Sequence, residues 1–280
     1  MARIRVVTDS ACDLSADVAE ANGVTIVPLT IRFGDEEFVD GRDLSTEEFW
    51  ARCKASPVLP ETAAPSPGAF QEVFLAAADD GYDGVLSLSL SGGVSATFQS
   101  ATAAAKAVAD RIEVRALDSR SMTMSLGLMV LDVAELAAGG ADLDALEARV
   151  AELVPRTSVF GAVENLEHLE KGGRIGGAKA LLGSLLSIKP VVTLVDGEVA
   201  EESKQRTRGR SLQYLADKVL HSAPLSRVAV AHGAAGDIDT FLALLVDVKS
   251  EHPLVVSQLG AVIGTHTGPG TIGVCMVTVD

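Results

Sequence analysis

The sequence predicts an α/β protein in two parts, on three observations. Through the first half, short β-branched runs that end in small polar residues alternate with helical stretches: IRVVTDS up to Ser10, GVLSLS at 84–89 and IEVRALDS up to Ser119. Beyond Pro155 that alternation gives way to grouped strands, and Asp196 and Gly197 sit between VVTLV and EVAEE in the pattern of a two-residue hairpin turn. A chain of 280 residues, 48% of them hydrophobic, can bury a sizeable core, and its length favours two domains, placed at 1–155 and 156–280.

Taken in order, Arg3 to Ser10 is a first strand whose carboxyl end opens into a loop, the place where open α/β sheets gather ligands. Ser15 to Asn22, stopped by Gly23, is a short helix, and VTIVPLTIRF reads as strand. Ser45 and Glu48 make a capping box for a helix over Thr46 to Lys54. A proline-rich loop then delivers Thr62, and Ser66 and Pro67 are the N-cap and first residue of the next helix. After the strand Gly84 to Ser89, LSGGVSATFQSA packs hydroxyls and glycines into a strand-to-helix turn, with helix from Phe98 to Ala109; amides at such a start favour an anion. SLGLMVLDVAELAA is a central core helix, and Asp142 caps another that runs to Leu153.

In the second half TSVFGAV opens a new group of strands. LEHLEKGGRIGGAKALLGSLLSIKP places a basic, glycine-rich bend between a charged helix and the apolar run LLGSLL. Arg208 to His221 reads as helix, SRVAVAH as strand and Ile238 to Lys249 as helix. GAVIGTHTGPG, from Gly260 to Gly270, reads as a rigid loop that sets His266 among hydroxyls and glycines ahead of a terminal strand.

Composition removes several classes of function. A formal net charge of −15 argues against a nucleic-acid partner, which needs a concentrated basic face, and 4% aromatic residues leave few platforms for stacking bases. No run reaches the length of a membrane span, and Met1 to Ser10 lacks the apolar stretch of a secretory signal, so a cytoplasmic location is expected. Cys12, Cys53 and Cys275 are odd in number and form no CxxC pair, and none of the five histidines has a short ligand spacing; neither a disulfide framework nor a metal is expected.

Familiar catalytic motifs also fail. GPGTIG at Gly268 to Gly273 has the spacing of a dinucleotide fingerprint but leads into a terminal strand with no room for a βαβ unit. GGRIGGAK at Gly172 to Lys179 is spaced like a P-loop, yet Ala178 stands where the lysine belongs, so no nucleotide cofactor is expected. A serine-dependent acyl hydrolase using Ser95 or Ser91 with His266 and Asp9 or Asp118 is the alternative reading, although neither serine has a GxSxG elbow. Thr62, Ser95 and Thr97 with His266 instead suit the binding of one carboxylate or another small anion.

Asp9 and Ser10, Thr62 to Gly68, Ser91 to Ala101, Asp118 and Ser119, GGRI at Gly172 and IGTHTGPG at Ile263, in that order, resemble the DegV family. The resemblance implies a bacterial cytosolic lipid-binding protein, monomeric, with a three-layer Rossmann-like parallel sheet in the first domain and a smaller mixed sheet with helices in the second. It implies one long-chain fatty acid in a tunnel near their interface, handed to a separate fatty acid kinase that uses ATP to make an acyl phosphate for phospholipid synthesis. Carried over by motif position, Thr62 and Ser95 would bond the carboxylate, His266 would complete the polar head, Arg206 would join it, and Arg174 would lie on the kinase-docking surface. Relatives usually have glycine where this chain has Ala96, and polar residues where it has Ala63 and Ala64, changes expected to narrow the head-group pocket.

Overall fold

Backbone pairing sorts the strands into three sheets; the computed structural model describes residues 2–56, 58–180, 188–222 and 224–279. The first half runs β1 (Ile4–Asp9), α1 (Ala16–Ala21), β2 (Val24–Val27), β3 (Thr30–Phe33), β4 (Glu36–Val39), α2 (Thr46–Ala55), β5 (Glu61–Ala63), α3 (Pro67–Asp79), β6 (Gly84–Ser89), α4 (Thr97–Ala107), β7 (Glu113–Asp118), α5 (Thr123–Ala138) and α6 (Leu143–Leu153). The second runs β8 (Thr157–Ala162), α7 (Glu167–Lys171), β9 (Lys189–Val195), β10 (Glu198–Gln205), α8 (Arg208–Leu220), β11 (Leu225–His232), α9 (Ile238–Ala243), β12 (Val255–Gln258), α10 (Ala261–Thr267) and β13 (Ile272–Thr278).

Helix starts follow local chemistry. Ser15, Ser66, Asp142 and Thr207 each accept a first-turn amide, and Ser45 with Glu48 closes both halves of a capping box. The run VTIVPLTIRF breaks in two because Pro28 has no N–H for a ladder. β2 joins a parallel sheet in the order β2-β1-β6-β7, and β3 joins a small antiparallel sheet, β4-β3-β5. Phe70 and Phe74 of α3 pack with Val7 and Val85 on one face of the parallel sheet, and Leu126 and Met129 of α5 pack with Val6, Leu86 and Leu88 on the other. That is the expected three-layer arrangement.

The later strands form a mixed sheet, β10-β9-β8-β13-β11-β12, antiparallel apart from the β11–β12 pair; with six strands to the parallel sheet's four it is the larger, not the smaller sheet expected. The hairpin between β9 and β10 turns at Asp196 and Gly197, both at positive φ. α8 covers one face, where Leu212, Leu215 and Val219 meet Val228 and Val230. α5 lies against the other, touching β8, β11 and β13 as well as β1, so a single helix packs on both large sheets.

Besides β4 and β5, strands the sequence did not mark, further stretches depart from their sequence reading, and LLGSLL at 181–186 falls outside the described residues. The helix from Ile238 ends at Ala243 and continues in tighter turns, with Leu245 N–H donating to Leu242 O and Val248 N–H to Leu245 O. Val255–Gln258, assigned to nothing in the sequence, is the edge strand β12. The stretch around His266 is a helix, α10, with only its exit at Gly268 and Gly270 in the left-handed region. Packing overrides its poor propensity: Val262 and Ile263 are buried, and a Cβ on Gly264 would stand 2.7 Å from both Phe49 Cε1 and Trp50 Cζ2 of α2. Trp50 Nε1–H donates to Leu259 O at 3.0 Å and fixes the approach.

Gly264→Ala is therefore expected to lower stability by ~1–3 kcal/mol through overpacking. Gly209→Ala in α8, where nothing lies within 4 Å of the new methyl, is expected to stabilise by up to ~1 kcal/mol. Denaturant midpoints of the two variants should move in opposite directions.

Candidate functional site

Segments far apart in sequence meet at one cavity. The ladder between β5 and β3 sets Thr62 opposite Ile31, and Thr62 Oγ1 lies 2.9 Å from Nε2 of His266. His266 occupies the last turn of α10. At the other end of that helix Gly260 N–H donates to Asp13 at 2.9 Å, and between them Nδ1–H of His168 donates to Thr265 O at 3.0 Å. Ser95 comes from the loop between β6 and α4; its hydroxyl pairs with that of Thr97 at 2.9 Å and accepts Thr97 N–H at 3.3 Å. Arg174 reaches the same place, its Nε–H donating to Val94 O at 3.1 Å and its Nη1–H to Gly172 O at 2.7 Å. A side chain on Gly172 would collide with Nδ1 of His266, so the glycine pair before Arg174 lets the bend lie against the imidazole.

Burial pushes the His266 pKa down to about 4, with Arg174 and His168 adding to the effect, so the ring is neutral at physiological pH. Its Nδ1 is buried and has no hydrogen-bond partner among the described residues. The site thus offers hydroxyls, a neutral imidazole and one guanidinium.

Behind these groups the lining is aliphatic: Leu29, Leu90, Val94 and Met122 from the first half face Val159, Val163, Val192, Leu194, Val199, Val262 and Ile263 from the second. The cavity floor is the face of the mixed sheet, where Gly161 and Gly273 are register partners. A Cβ on either would make only ordinary contacts, the nearest at 3.7 and 3.6 Å, so the missing side chains are what leave the space open. The remaining hydroxyls of the lining are committed elsewhere: Thr123 to Asp13, Thr193 to Val159 O, Thr267 to Ile263 O and Thr271 to Thr267 O. Thr62, Arg174 and His266 also border an outer cleft with Val58, Leu59, Pro60 and Lys171, so the polar end of the cavity is its mouth.

The structure thus brings Thr62, Ser95 and His266 to one cavity together with Arg174, which also borders the outer cleft. Arg206 does not join them. It follows β10, is exposed, and is not among the residues that line the cavity. Ala63 and Ala96 are exposed, Ala64 is half-buried, and none of the three lines the cavity, so their methyls do not narrow it. No catalytic relay forms among the described residues. Ser95 bonds Thr97 rather than His266, the Ser91 hydroxyl donates to Gly197 O at 2.7 Å, Asp9 accepts from Leu90 and Ala11 amides, and Asp118 accepts from those of Gly92 and Arg120.

A second polar group lies beyond α10. Asp9, Asp13 and Asp40 are buried, and burial raises their pKa values to about 7, about 7 and about 6. Asp13 accepts the Thr123 hydroxyl at 2.5 Å and Gly260 N–H, so it joins the starts of α5 and α10. Asp13 and Thr123 both hold left-handed backbone, φ 54 and φ 50, uncommon for residues with side chains. Among the described residues no group of three or more His, Cys, Asp or Glu is arranged to hold a metal ion, and no helix is long and apolar enough to cross a membrane.

Fold and cavity define an α/β protein in which an apolar space lies over one face of the mixed sheet, walled by loops of the first half and by α10, with polar side chains at its mouth. The chain belongs to the DegV family: the model described as "Uncharacterised protein, DegV family" matches residues 3–279. A DegV domain-containing protein of Streptomyces coelicolor is 38% identical over 277 residues, 97% of each chain. Among solved structures, a DegV family protein of Thermus thermophilus described for its fatty acid binding superposes with a TM-score of 0.88 at 34% identity, covering 99% of this chain and 100% of the other. DegV of Bacillus subtilis, described as a fatty acid binding protein, superposes with a TM-score of 0.87 at 29% identity over 100% of both chains.

Two titrations follow. The imidazole resonances of His266 should stay fixed from neutral to mildly acidic pH and move only near pH 4; a midpoint in the ordinary histidine range would show the ring solvated. Because the folded acids hold their protons up to about pH 6 to 7, their contribution to stability is full below the ordinary carboxylate range and is lost as pH rises through that window. Asp13→Asn should flatten this fall in chemical denaturation curves.

Proposed function

We propose that this protein binds a long-chain fatty acid, holds its carboxylate with Thr62, Ser95, His266 and Arg174, and presents it to a separate fatty acid kinase. The observation that carries the reading is an aliphatic cavity whose hydroxyls, imidazole and guanidinium gather at the mouth. The solved relatives described as fatty acid binding support the ligand class. In this reading 1–155 and 156–280 are the two domains that enclose the chain, and the protein works as a cytoplasmic monomer.

Burying about fourteen methylenes contributes on the order of 11 kcal/mol gross at roughly 0.8 each. Association and ordering costs remove much of that, and an unpartnered buried carboxylate would remove several kcal/mol more. The head therefore has to be satisfied. With the proton on Nε2, His266 donates to Thr62 Oγ1 and leaves the Thr62 hydroxyl hydrogen free for a carboxylate oxygen, while the hydroxyl of Ser95 turns from Thr97 to the ligand. Arg174 supplies the opposite charge. A carboxylate at the mouth, beside the cleft of Val58 to Glu61 and Lys171, stands where a kinase can reach it and transfer the terminal phosphoryl group of ATP to a carboxylate oxygen. No step of that reaction needs a nucleophile from this chain.

Native mass spectrometry of the purified protein should find a co-purified fatty acid. Thr62→Ala combined with Ser95→Ala should weaken retention at least tenfold, on the order of one lost charge-assisted hydrogen bond. Gly161→Leu should exclude the acid from a folded protein. Reconstitution with a cognate kinase and labelled ATP should give acyl phosphate from the loaded protein. Ligand-free protein that takes up no long-chain acid would sink the reading, and acyl-ester turnover without kinase, abolished by Ser95→Ala, would replace it with a hydrolase.

A further inference from the structure

The cavity has a second wall close to solvent, at the end opposite its mouth. Strand β8 contributes Val159 and Gly161 to the floor, with Val163 just after it, so the floor runs about 13 Å along that strand at ~3.4 Å per residue. Val163 leads on to Leu169 and Arg174, and β13, antiparallel to β8, begins at that same end with Ile272 opposite Ala162, a few residues after His266. The head is therefore at the Val163 end and Val159 is remote from it. Phe160 pairs with Thr193, which sets Leu194 beside Val159 on the cavity face.

Val159 and Leu194 are both only half-buried, and both also border a separate outer cleft formed with Arg120, Ser121, Pro155 and Gly197. One layer of side chains thus separates the interior from this cleft. The hairpin tip beside it is pinned, since the Ser91 hydroxyl donates to Gly197 O and a Cβ on Gly93 would come within 2.7 Å of that oxygen. The backbone there is fixed, and the side chains are what can yield.

We infer that Val159 and Leu194 form the stop that sets acyl-chain length, and that the tail of a longer chain leaves between them into the cleft under the β9–β10 hairpin. This rests on the fatty-acid reading above. It makes the two residues specificity determinants for the hydrocarbon end, independent of the carboxylate contacts.

The test is a binding series with lauric, palmitic, stearic and arachidic acids, combined with photolabelling by stearic acid carrying a diazirine at its terminal carbon. Affinity should rise about fourfold per methylene until the stop is reached. Leu194→Ala with Val159→Ala should carry that rise to longer acids, and Leu194→Trp should end it earlier while lauric acid binds as before. The photolabel should map to 120–122, Val159 and 194–197. Label confined to the mouth at 58–62 and 168–174, or variants that scale all four acids equally, would overturn the inference while leaving the fatty-acid reading intact. Failure of the native protein to bind any of the acids would remove both. Thermal unfolding of each variant reports whether it is folded, and the photolabel, read on the native protein, stands even where a variant is not.

Discussion

The bond between Thr62 and His266 joins residues 204 positions apart and brings a strand of the first half to a helix of the second at the mouth of the cavity. Burial keeps the ring in it uncharged. A protonated imidazole beside Arg174, with His168 close by, would add positive charge in a place that burial already makes hostile to it. Neutrality in turn permits the close packing of α10 against α2 and α7, and that packing is what keeps the ring where Thr62 can meet it. The polar head, the helix and the aromatic pair Phe49 and Trp50 beneath it are one arrangement rather than three features that coincide.

How much of this was legible depends on whether the signal was local. Caps are written into three or four neighbouring residues, which is why Ser45 with Glu48, Ser66 with Pro67, Asp142, and the turn at Asp196 and Gly197 stand where the sequence places them. The identity of α10 is not local: glycine and β-branched threonine argue against helix, and the groups packed against it, Asp13, Phe49, Trp50 and His168, lie far off in sequence. The place of Arg174 is not local either: carbonyls of Val94 and Gly172 hold it where the cavity meets the outer cleft. The grouping of Thr62, Ser95 and His266 came from their donor chemistry and then from motif resemblance; no spacing in the chain encodes it.

Space inside a protein needs an explanation as much as contact does, because interiors otherwise close to crystal-like density. Here the explanation is paired absence. Gly161 and Gly273 face each other across two strands in the middle of a sheet, where β-branched residues would ordinarily fill the layer. Neither is required by backbone geometry, since neither has positive φ, and a methyl on either would meet nothing closer than 3.6 Å. Their place in the sheet is therefore best accounted for by what lies above them.

The position of α5 between the two large sheets has a separate outcome for how the molecule is made and lost. Leu126, Met129 and Val133 belong to one continuous core with Ala229, Ala231, Cys275 and Val277 from strands near the end of the chain. A ribosome that has released only the first 155 residues presents that helix with one flank bare until the terminal strand β13 arrives to cover it. Cover for that flank of α5 is in this way tied to the synthesis of β13, and a nascent chain stalled short of it exposes a greasy helix that invites chaperones or proteolysis.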